Sequence, residues 1–464
     1  MPFLLALTAH TTKSNPNHAP RQNMLFLKKK EQQITNSIEN KPTTERGYWA
    51  NVWKQFQKNK LAVWSSKVLI GILFVALFAD FIANEKPLVC TIEGKTMFPV
   101  LKQYAVNLKL AQWDEQFVTK RWDEHQYDFA IFPLIPYSYS TIDKYNRNFV
   151  SPFDEQRNLP SWRWHHWMGT DELGRDVTAG MVHGTRIAVS VGIIAMSIAA
   201  IIGIFMGSLA GYFGDDKLQV SRIRLCLNIL ALFLAYFYAF SVRSTTISIA
   251  AKEGSLGVQL LLSLLIFVGV VLIANLVASA LERIPFLGKK MPLHLDLLVM
   301  RFIEVINSIP SLLLILSVVA LTKPSIFNIM VIIGLISWTS IARFIRAELL
   351  RVRRLEYIEA AQAMGFSEAR ILFKHAIPNA LTPVLIAIAF GVASAILTEA
   401  FLSFLGIGVA AEEVTWGSLL NLARNKFSAW WLAIFPGFAI FTTVTVFNLI
   451  GEGLTDALDP RLRK

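Results

Sequence analysis

Residues with the types and spacing needed for chemistry are few in this sequence, and the first candidate is a phosphate-binding loop. Gly94-Lys95-Thr96 has the letters that end such a loop. The loop also needs a glycine five residues before Gly94, where this chain has Val89, and a strand and a helix on either side. The sequence therefore predicts no nucleotide site in this chain.

A second candidate is a metal or redox site, which needs clustered histidine, cysteine or acidic side chains. His165 and His166 are neighbours, so they point to different faces of a helix or strand, and no acidic cluster lies near them in the sequence. Packing beside the adjacent tryptophans is favoured over metal binding. Cys90 and Cys226 are too far apart to indicate a disulfide framework. We therefore predict no catalytic residue, no cofactor and no metal in this chain.

The third candidate is mechanical, and it lies in the stretch YIEAAQAMGFSEARILFKHAIP, residues 357–378. Four of its residues stand at offsets 0, 3, 4 and 7 and so share one stripe of a short helix: Tyr357, Ala360, Ala361 and Met364. The two alanines would let another surface approach the backbone, and Glu359 suits the first turn through the helix dipole. These residues alone support partner docking and an ordinary amphipathic hairpin equally.

Gly365, Ser367 and Pro378 divide this stretch into short helices. Gly365 can adopt a positive φ where the first helix ends, and Ser367 has the side chain that caps the start of a second. Pro378 marks the return of the chain to the membrane, because proline suits a helix start and interrupts a helix interior. The pattern predicts a helix–turn–helix on the cytoplasmic side.

Membrane helices are the elements that must position these residues. The chain of 464 residues is 54% hydrophobic and only 17% charged, which is too apolar for an ordinary soluble fold. The formal charge of +12 would suit nucleic acid in a soluble protein, but in a membrane protein Lys and Arg report orientation. We therefore predict an all-α polytopic membrane protein with membrane lipids, and no nucleic acid, as partners.

Eight stretches are long and apolar enough to cross about 30 Å of hydrocarbon. Seven contain no charged residue, and the first contains only Asp80, near one end. The eight predicted spans are Val68–Ala83, Ile187–Gly214, Leu225–Val242, Gly254–Leu281, Val305–Thr322, Pro324–Ala342, Ala376–Thr398 and Phe427–Gly451.

The distribution of basic residues predicts the orientation of these spans. Residues 1–66 contain ten Lys and Arg against three acidic residues, and residues 343–375 contain seven against four. Short basic segments face the cytoplasm, and eight spans place both of these segments on that side. Both termini are then cytoplasmic, and the long segment of residues 85–185 is extracytoplasmic.

Several segments, taken in order, resemble permease subunits of ABC importers. Glu359-Ala360-Ala361, followed by Gly365 and by Pro378, resembles the EAA loop of these subunits, and the letters of residues 357–384 resemble the dipeptide, oligopeptide and nickel branch. MGTDELGRDVTAG (168–180), EAFLSFLGIG (399–408) and FNLIGEGLTDALDPRLRK (447–464) are similar to the C-type subunit of that branch.

The resemblance implies partners and a function for the candidate loop. Such a permease works with a homologous permease, two ATP-binding subunits and an extracytoplasmic substrate-binding protein, in a bacterial inner membrane. ATP and Mg²⁺ would bind to the partner ATPases, and peptides are the favoured cargo. The residues that the resemblance assigns to ATPase coupling are Glu359, Ala360, Ala361, Gly365 and Pro378.

The chain departs from the usual pattern in two places. The extracytoplasmic segment is long, and about ninety residues interrupt the core after its second helix. We therefore predict a six-helix permease core with an inserted two-helix membrane hairpin. The predicted organisation is a cytoplasmic tail (1–66), the first helix (67–84), the extracytoplasmic segment (85–185), the second core helix (186–214), the inserted hairpin (215–301) and the remaining core (302–464) with the EAA loop (343–378).

Alternatives remain at this stage for the function and for two groups of residues. An ion-coupled secondary transporter would need no ATPase, but it favours acidic residues or broken helices near the membrane midplane. Glu399 is compatible with a helix-end structural role or with a position on the translocation path. Five arginines are compatible with binding lipid headgroups or acidic residues of an ATPase: Arg343, Arg346, Arg351, Arg353 and Arg354.

Overall fold

The computed structural model describes residues 48–215, 218–253, 255–284, 286–410 and 412–458, and most of them are helical. Within these residues, seven helices are long and apolar enough to cross a membrane. The chain is therefore an all-α polytopic membrane protein, with only short strands. Most of the predicted cytoplasmic tail, residues 1–47, lies outside the described residues, as do the last six residues.

The helices are numbered in chain order. They are α1 (Tyr48–Phe56), α2 (Lys60–Leu77), α3 (Ala79–Ile82), α4 (Pro99–Asn107), α5 (Glu115–Thr119), α6 (Val177–Ser208), α7 (Arg222–Tyr236), α8 (Ser244–Glu253), α9 (Leu256–Leu281), α10 (Leu295–Asn307), α11 (Ser311–Leu321), α12 (Ile326–Val352), α13 (Glu356–Ala363), α14 (Glu368–Ile371), α15 (Ile377–Ala380), α16 (Thr382–Phe404), α17 (Trp416–Asn425) and α18 (Trp431–Leu458). Wider π-helical turns continue α6 (Leu209–Phe213), α7 (Phe237–Ser241) and α14 (Leu372–Ala376).

Two small antiparallel sheets lie outside the membrane helices. β1 (Val89–Ile92) pairs with β2 (Lys95–Met97) on one side and with β3 (Phe129–Ile131) on the other. β4 (Gln219–Ser221) pairs with β5 (Lys290–Pro292). The first sheet belongs to residues 84–176, which we call the connecting segment, and the second joins the two ends of the segment that contains α7 and α9.

Two membrane helices begin earlier than their apolar stretches. α2 begins at Lys60 rather than near Val68, and Asn59 caps it by accepting a hydrogen bond from the Ala62 amide at 3.1 Å. α6 begins at Val177, ten residues before the uncharged stretch. Both differences have the same cause. Each helix begins with polar or charged residues, so the uncharged stretch is shorter than the helix.

The polar residues near the start of α6 have partners inside the protein. The Arg186 guanidinium pairs with the Asp80 carboxylate at 2.9 Å and donates to the Ala76 carbonyl at the same distance. The His183 ring nitrogen lies 2.9 Å from the Ala83 carbonyl oxygen. Polar groups are tolerated here because protein atoms replace the water they lose. These contacts attach α6 to α2 and α3.

The uncharged stretch Val305–Thr322, predicted to cross as one span, is divided in two. α10 ends at Asn307, α11 begins at Ser311, and their axes differ by 78°. Pro310 lies between them and has no amide hydrogen, and it disfavours helical geometry in the residue before it. The absence of charge predicted membrane burial here without detecting this break.

α6 and α12 pack at backbone distance along most of their length. A Cβ atom added to Gly207 would lie 2.5 Å from the Ala342 carbonyl oxygen, and one added to Gly211 would lie 2.7 Å from the Arg346 carbonyl oxygen. The contact positions advance together along both helices, so the helices run parallel and interlock through rows four residues apart. Glycine is needed because any side chain would push the two backbones apart.

α7 and α9 pack against each other through polar side chains. Asn228 and Asn275 exchange two hydrogen bonds, of 2.9 and 3.4 Å, and Arg224 pairs with Glu282 at 2.8 Å. The positions advance in opposite directions along the two helices, so this pair is antiparallel. Most of the surrounding apolar side chains point outward, which is the arrangement expected of helices surrounded by lipid.

Candidate functional site

The stretch predicted to couple to a partner, residues 356–380, folds as short helices directly after α12. We call it the coupling loop. α13 follows α12 after three residues, α14 and its π-helical turn follow α13, and α15 leads into α16. Its apolar residues Ile358, Ile371 and Leu372 are buried in the same core cluster as Leu349 and Val352 of α12. The loop is therefore part of the packed protein and not a free connection.

Gly365 ends α13 with φ +77°, which confirms the predicted positive φ. The Gly365 amide donates to the Gln362 carbonyl at 2.9 Å, and the Phe366 amide donates to the Ala361 carbonyl at 3.2 Å. These two bonds form a Schellman motif, which closes the helix and reverses the chain. A Cβ atom at Gly365 would have open space around it, so the backbone conformation requires glycine and packing does not.

α13 has one face packed into the protein and one open face. Ile358 and Ala361 are 0% and 4% exposed, whereas Tyr357 and Met364 are 41% and 66% exposed and Ala360 is exposed as well. Of the two alanines predicted to let another surface approach, only Ala360 is open, and this chain's own core covers Ala361. Helical geometry places Ala361 only about 60° from Ile358, so the core that covers Ile358 also covers this alanine.

The other predicted coupling residues lie on or next to the open face. Glu359 is exposed in the first turn of α13, where a carboxylate complements the helix dipole. Pro378 is exposed in the first turn of α15, at the opposite end of the coupling loop. Glu359 and Ala360 are thus on the surface, Gly365 shapes the turn, and Pro378 begins the return to the membrane.

One long-range hydrogen bond attaches the coupling loop to a membrane helix, and a second closes the loop on itself. Tyr212, fully buried at the end of α6, donates to the Glu368 carboxylate at 2.5 Å. Asn379 donates to the Tyr357 hydroxyl at 3.1 Å, which joins the two ends of the loop. Sequence reasoning missed the Tyr212 contact because its partners are 156 positions apart. The parallel packing of α6 and α12 brings them together.

Three of the five arginines predicted to form a basic face are engaged within the protein. Arg346 forms a two-pronged ion pair with Asp296 of α10, with one nitrogen–oxygen distance of 2.6 Å. Arg351 pairs with Glu348, and Arg353 approaches the Gly211 carbonyl oxygen at 3.5 Å. The Arg346 and Arg353 contacts fix the end of α12 against α10 and the end of α6, whereas the Arg351 pair lies within α12; a count of charges in the loop did not predict these contacts.

The motif of residues 168–180 forms a compact turn at the start of α6. Asp171 accepts hydrogen bonds from the Leu173 and Arg175 amides at 2.9 and 2.8 Å and pairs with the Arg175 side chain at 2.6 Å. Gly174 has φ +85°, and a Cβ there would lie 2.2 Å from the Asp143 carbonyl oxygen. The letters of this motif therefore encode a local structure that positions α6.

His166 is fully buried between two carboxylates in that region. One ring nitrogen lies 2.8 Å from Asp176 and the other 3.3 Å from Asp143. Burial lowers the pKa of His166, but its hydrogen bonds to Asp143 and Asp176 outweigh burial and raise the pKa to about 9. Asp176 also caps α6 by accepting from the Ala179 amide at 2.6 Å. The sequence showed no acidic cluster beside His166, and folding brings two separate carboxylates to its ring.

The remaining candidates lie away from the coupling loop. Glu399 is 1% exposed and accepts a hydrogen bond from the Ser403 hydroxyl at 2.5 Å, so it lies in the packed region where α16 meets α17. Gly94, with φ +74°, forms the turn between β1 and β2. In the part of the chain that the structure describes, no three His, Cys, Asp or Glu side chains are placed to hold a metal ion.

Comparison with known protein families finds two matching regions. Residues 286–464 match the family described as binding-protein-dependent transport system inner membrane component. Residues 47–93 match the N-terminal transmembrane domain of oligopeptide transport permease C. The first match contains the whole coupling loop, and the second contains α2 and α3.

Curated relatives agree with these matches. The chain is 30% identical over 299 residues to the glutathione transport system permease protein of Pectobacterium atrosepticum, which is 64% of this chain and 73% of that protein. It is 30% identical over 306 residues to the oligopeptide transport system permease protein of Haemophilus influenzae, which is 66% of this chain and 73% of that protein. It is also 27% identical over 442 residues to the peptidoglycan transport system permease protein of Agrobacterium fabrum, covering 90% of this chain and 93% of that protein.

Proposed function

The chain belongs to the family of inner membrane permeases of binding-protein-dependent ABC importers, and on that premise we propose that it is the C-type permease subunit of an ATP-driven peptide importer. It is a multi-pass inner membrane protein, and members of its family are transport subunits. In the proposed assembly it has no catalytic role of its own, and ATP and Mg²⁺ bind to separate ATPase subunits.

The open face of α13 is the observation that carries this proposal. Tyr357, Glu359, Ala360 and Met364 are exposed, while Ile358 on the opposite face is completely buried. A short helix with an exposed small residue at its centre can enter a groove on another protein. Its buried face is continuous with the core around α12, so a displacement of α13 is passed to the membrane helices by packing.

Coupling then follows from the attachments of the loop. Closure of the two ATPases moves α13 as a rigid body, and Glu368 transmits the movement to Tyr212 at the end of α6. α6 and α12 move together because their backbones interlock. The translocation path forms between this chain and a homologous permease, so a polar substrate does not enter lipid. Alternation between inward and outward access is a population shift driven by ATP.

The topology that this mechanism requires places the coupling loop and both termini in the cytoplasm. The connecting segment is then extracytoplasmic, facing the substrate-binding protein. α7 and α9 form the inserted membrane hairpin within residues 215–301, which adds two crossings and leaves the orientation of the core unchanged. This arrangement is supported by the excess of Lys and Arg in residues 1–66 and 343–375.

Peptides are the cargo that the relatives favour. Proteins similar to this chain are named as permeases for oligopeptides, dipeptides and glutathione, and one is named for peptidoglycan transport. These names share a peptide component, which supports a peptide or peptide-containing substrate over a metal chelate. The binding protein, which is a separate chain, contributes most of the selection.

One observation favours the rival hypothesis of an ion-coupled secondary transporter. The break between α10 and α11 is a discontinuous membrane helix of the kind that such transporters use near their binding sites. The family membership and the open face of α13 outweigh it. In an ABC permease, the exposed backbone at this break faces the path or the partner permease, because lipid cannot satisfy it.

The docking proposal is tested by Ala360→Trp, with Ala280→Trp on the exposed surface of α9 as the matched control. The bulky side chain at Ala360 should prevent entry of α13 into the ATPase groove, while the fold is preserved because Ala360 is exposed. We expect copurification with the ATPases to fall at least about tenfold, corresponding to about 1.4 kcal/mol or more, and the control to behave as wild type.

A reconstitution experiment separates the proposed function from its rival. The full chain is placed in lipid vesicles alone, or together with the partner permease, ATPases and binding protein. We expect ATP-dependent peptide accumulation only in the complete assembly. Accumulation of solute against a gradient by the chain alone, driven by an ion gradient, would overturn the proposal and establish a secondary transporter.

A further inference from the structure

The connecting segment contains a cavity of about 420 Å³, far along the chain from the coupling loop. This volume is within the range of sites that bind small molecules. All of its lining residues in the described part of the chain lie between Glu85 and Trp164, so one segment of this protein supplies the site. The coupling mechanism described above makes no use of it.

Aromatic side chains form the interior of this cavity. Trp122, Tyr127, Phe132, Tyr137 and Trp164 all line it. Four of them pack edge to face in a row, with ring centres 5.4 Å apart between Trp164 and Phe132 and 5.5 Å apart between Trp164 and Tyr137. Tyr127 packs in the same way on the other side of Phe132, at 5.8 Å. Trp122 and Tyr137 are only 5% and 6% exposed. The interior is therefore rigid, and it presents ring faces that attract apolar groups and ammonium groups.

Charged groups of both signs surround the aromatic interior. Glu124 and Lys144 line the cavity, and neither forms an ion pair with any residue that the structure describes. Arg121 and Asp123 also line it and pair with each other at 2.9 Å. The Trp164 indole nitrogen donates no hydrogen bond within the described chain. The cavity thus offers an open carboxylate, an open ammonium group and an indole donor above an apolar base.

The base of the cavity is in direct contact with the start of α6. Tyr137 stacks on the buried His166 ring with the ring centres 4.4 Å apart. His166 in turn contacts Asp176, the residue that caps α6. A molecule that fills the cavity therefore rests on the residues that position one of the two interlocked membrane helices.

We propose that this cavity binds a short peptide with free termini, whose ammonium and carboxylate groups pair with Glu124 and Lys144 and whose side chain packs on the tryptophans. This inference rests on the proposed function for its peptide class and adds a substrate-binding site within the permease itself. A dipeptide supplies a partner for each of the two charges, whereas an amino sugar or a simple cation supplies one for Glu124 only. In the proposed topology the connecting segment is extracytoplasmic, so the cavity would hold a substrate that the binding protein releases or has yet to capture.

Binding is tested with the purified full-length chain in lipid nanodiscs, without the substrate-binding protein. The probe is the dipeptide glycyl-leucine, which does not fluoresce, and the readout is the intrinsic tryptophan fluorescence of the chain. We expect saturable binding, and we expect the same dipeptide with an acetylated amino end and an amidated carboxyl end to bind at least about tenfold more weakly, because it lacks both charges.

Two variants locate the site. Glu124→Gln and Lys144→Gln should each weaken binding of glycyl-leucine about fivefold or more. Glu124→Gln should bind the dipeptide with an acetylated amino end as well as wild type does, and Lys144→Gln should do the same for the dipeptide with an amidated carboxyl end. Glu115→Gln and Lys95→Gln are the matched controls, because both residues are exposed in the same segment outside the cavity. Both controls should bind as wild type does.

The outcomes separate this proposal from the proposed function. Equal binding of free and blocked dipeptides, unchanged affinity in both cavity variants, or tighter binding of the amino sugar glucosamine than of glycyl-leucine would each overturn the cavity assignment. ATP-dependent uptake by the complete assembly would still support the importer in those cases. Binding with the expected pattern, together with uptake that does not depend on the ATPases, would instead retain the peptide site and reject the importer.

Discussion

The α6–α12 pair and the α7–α9 pair are both pairs of membrane helices, but different physical interactions hold them together. α6 and α12 are parallel and in backbone contact through glycines, with added Cβ atoms clashing at 2.5–2.7 Å. α7 and α9 are antiparallel and are joined by an Asn–Asn pair and an ion pair. In α9, a Cβ added to Gly269 would have no neighbour within 4 Å among the residues that the structure describes.

The two kinds of contact differ in how well they resist relative movement of the helices. Interlocked backbones leave one low-energy arrangement, so α6 and α12 are expected to move as one unit. Polar pairs between helices contribute only about 0.6 kcal/mol on average and allow the helices to adjust. The α6–α12 pair is suited to transmitting a movement through the core, and the α7–α9 pair is suited to a peripheral position in the lipid.

The largest effect is expected from Gly207→Leu, which should break the α6–α12 contact. The new side chain would meet the Ala342 carbonyl oxygen from 2.5 Å, and overpacking of a rigid contact costs about 1–3 kcal/mol or more. We expect loss of most folded protein in detergent, measured by size-exclusion chromatography. Gly269→Leu in α9 is the control and should fold normally. Equal tolerance of both changes would remove the distinction between the pairs.

A large effect is also expected at the start of α6, where His166 contacts Asp143 and Asp176. The folded state raises the pKa of His166 from 6.5 to about 9, so its stabilisation is fully present below pH 6.5 and is lost as the pH rises through 9. This contribution is a few kcal/mol. The midpoint of thermal unfolding should therefore fall between pH 6.5 and 9.5 in wild type.

His166→Gln should lower that midpoint at pH 6.5 and make it less dependent on pH. His165→Gln is the matched control, because the His165 side chain is only partly buried and has no carboxylate partner among the described residues. A pH profile of His166→Gln that matches wild type would show that the histidine does not stabilise this end of α6.

A moderate effect is expected from Gly365→Val in the coupling loop, which follows the cytoplasmic end of α12 in the proposed topology. Space is available for the side chain, but φ +77° is unfavourable for a β-branched residue and costs about 1–3 kcal/mol. ATP-dependent uptake by the complete assembly should fall several-fold while the membrane helices stay folded. Gly257→Val, which also has space but has no positive φ, should keep normal uptake. Normal uptake in Gly365→Val would remove the turn from the coupling mechanism.

The smallest effect is expected from Asn275→Leu in the α7–α9 pair. It removes the exchange of hydrogen bonds with Asn228, which is worth about 0.6 kcal/mol in a membrane. Thermal unfolding should shift slightly, and uptake should remain. Leu276→Ala, at a neighbouring exposed position, is the control. A loss of folding as severe as that expected for Gly207→Leu would show that this pair is also essential to the core.

The sequence predicted local features correctly where a residue type has one dominant physical role. The absence of charge predicted the membrane helices, and Gly365 predicted a positive φ that the structure confirms. The burial of Ala361 was not readable, because its offset from Tyr357 is equally compatible with an open stripe and with the edge of a packed one. The break at Pro310 was obscured by the uniform apolarity of the residues around it.

Hydropathy and short motifs identify this chain as a helical membrane protein of the ABC permease family, because both depend on residues that are neighbours in the sequence. Packing of distant segments establishes which surface of α13 is open, that Tyr212 contacts Glu368, and that His166 lies between two carboxylates. It also establishes that five aromatic side chains enclose one cavity. The reason is that these contacts join residues far apart in the chain, and packing determines them, whereas local spacing does not.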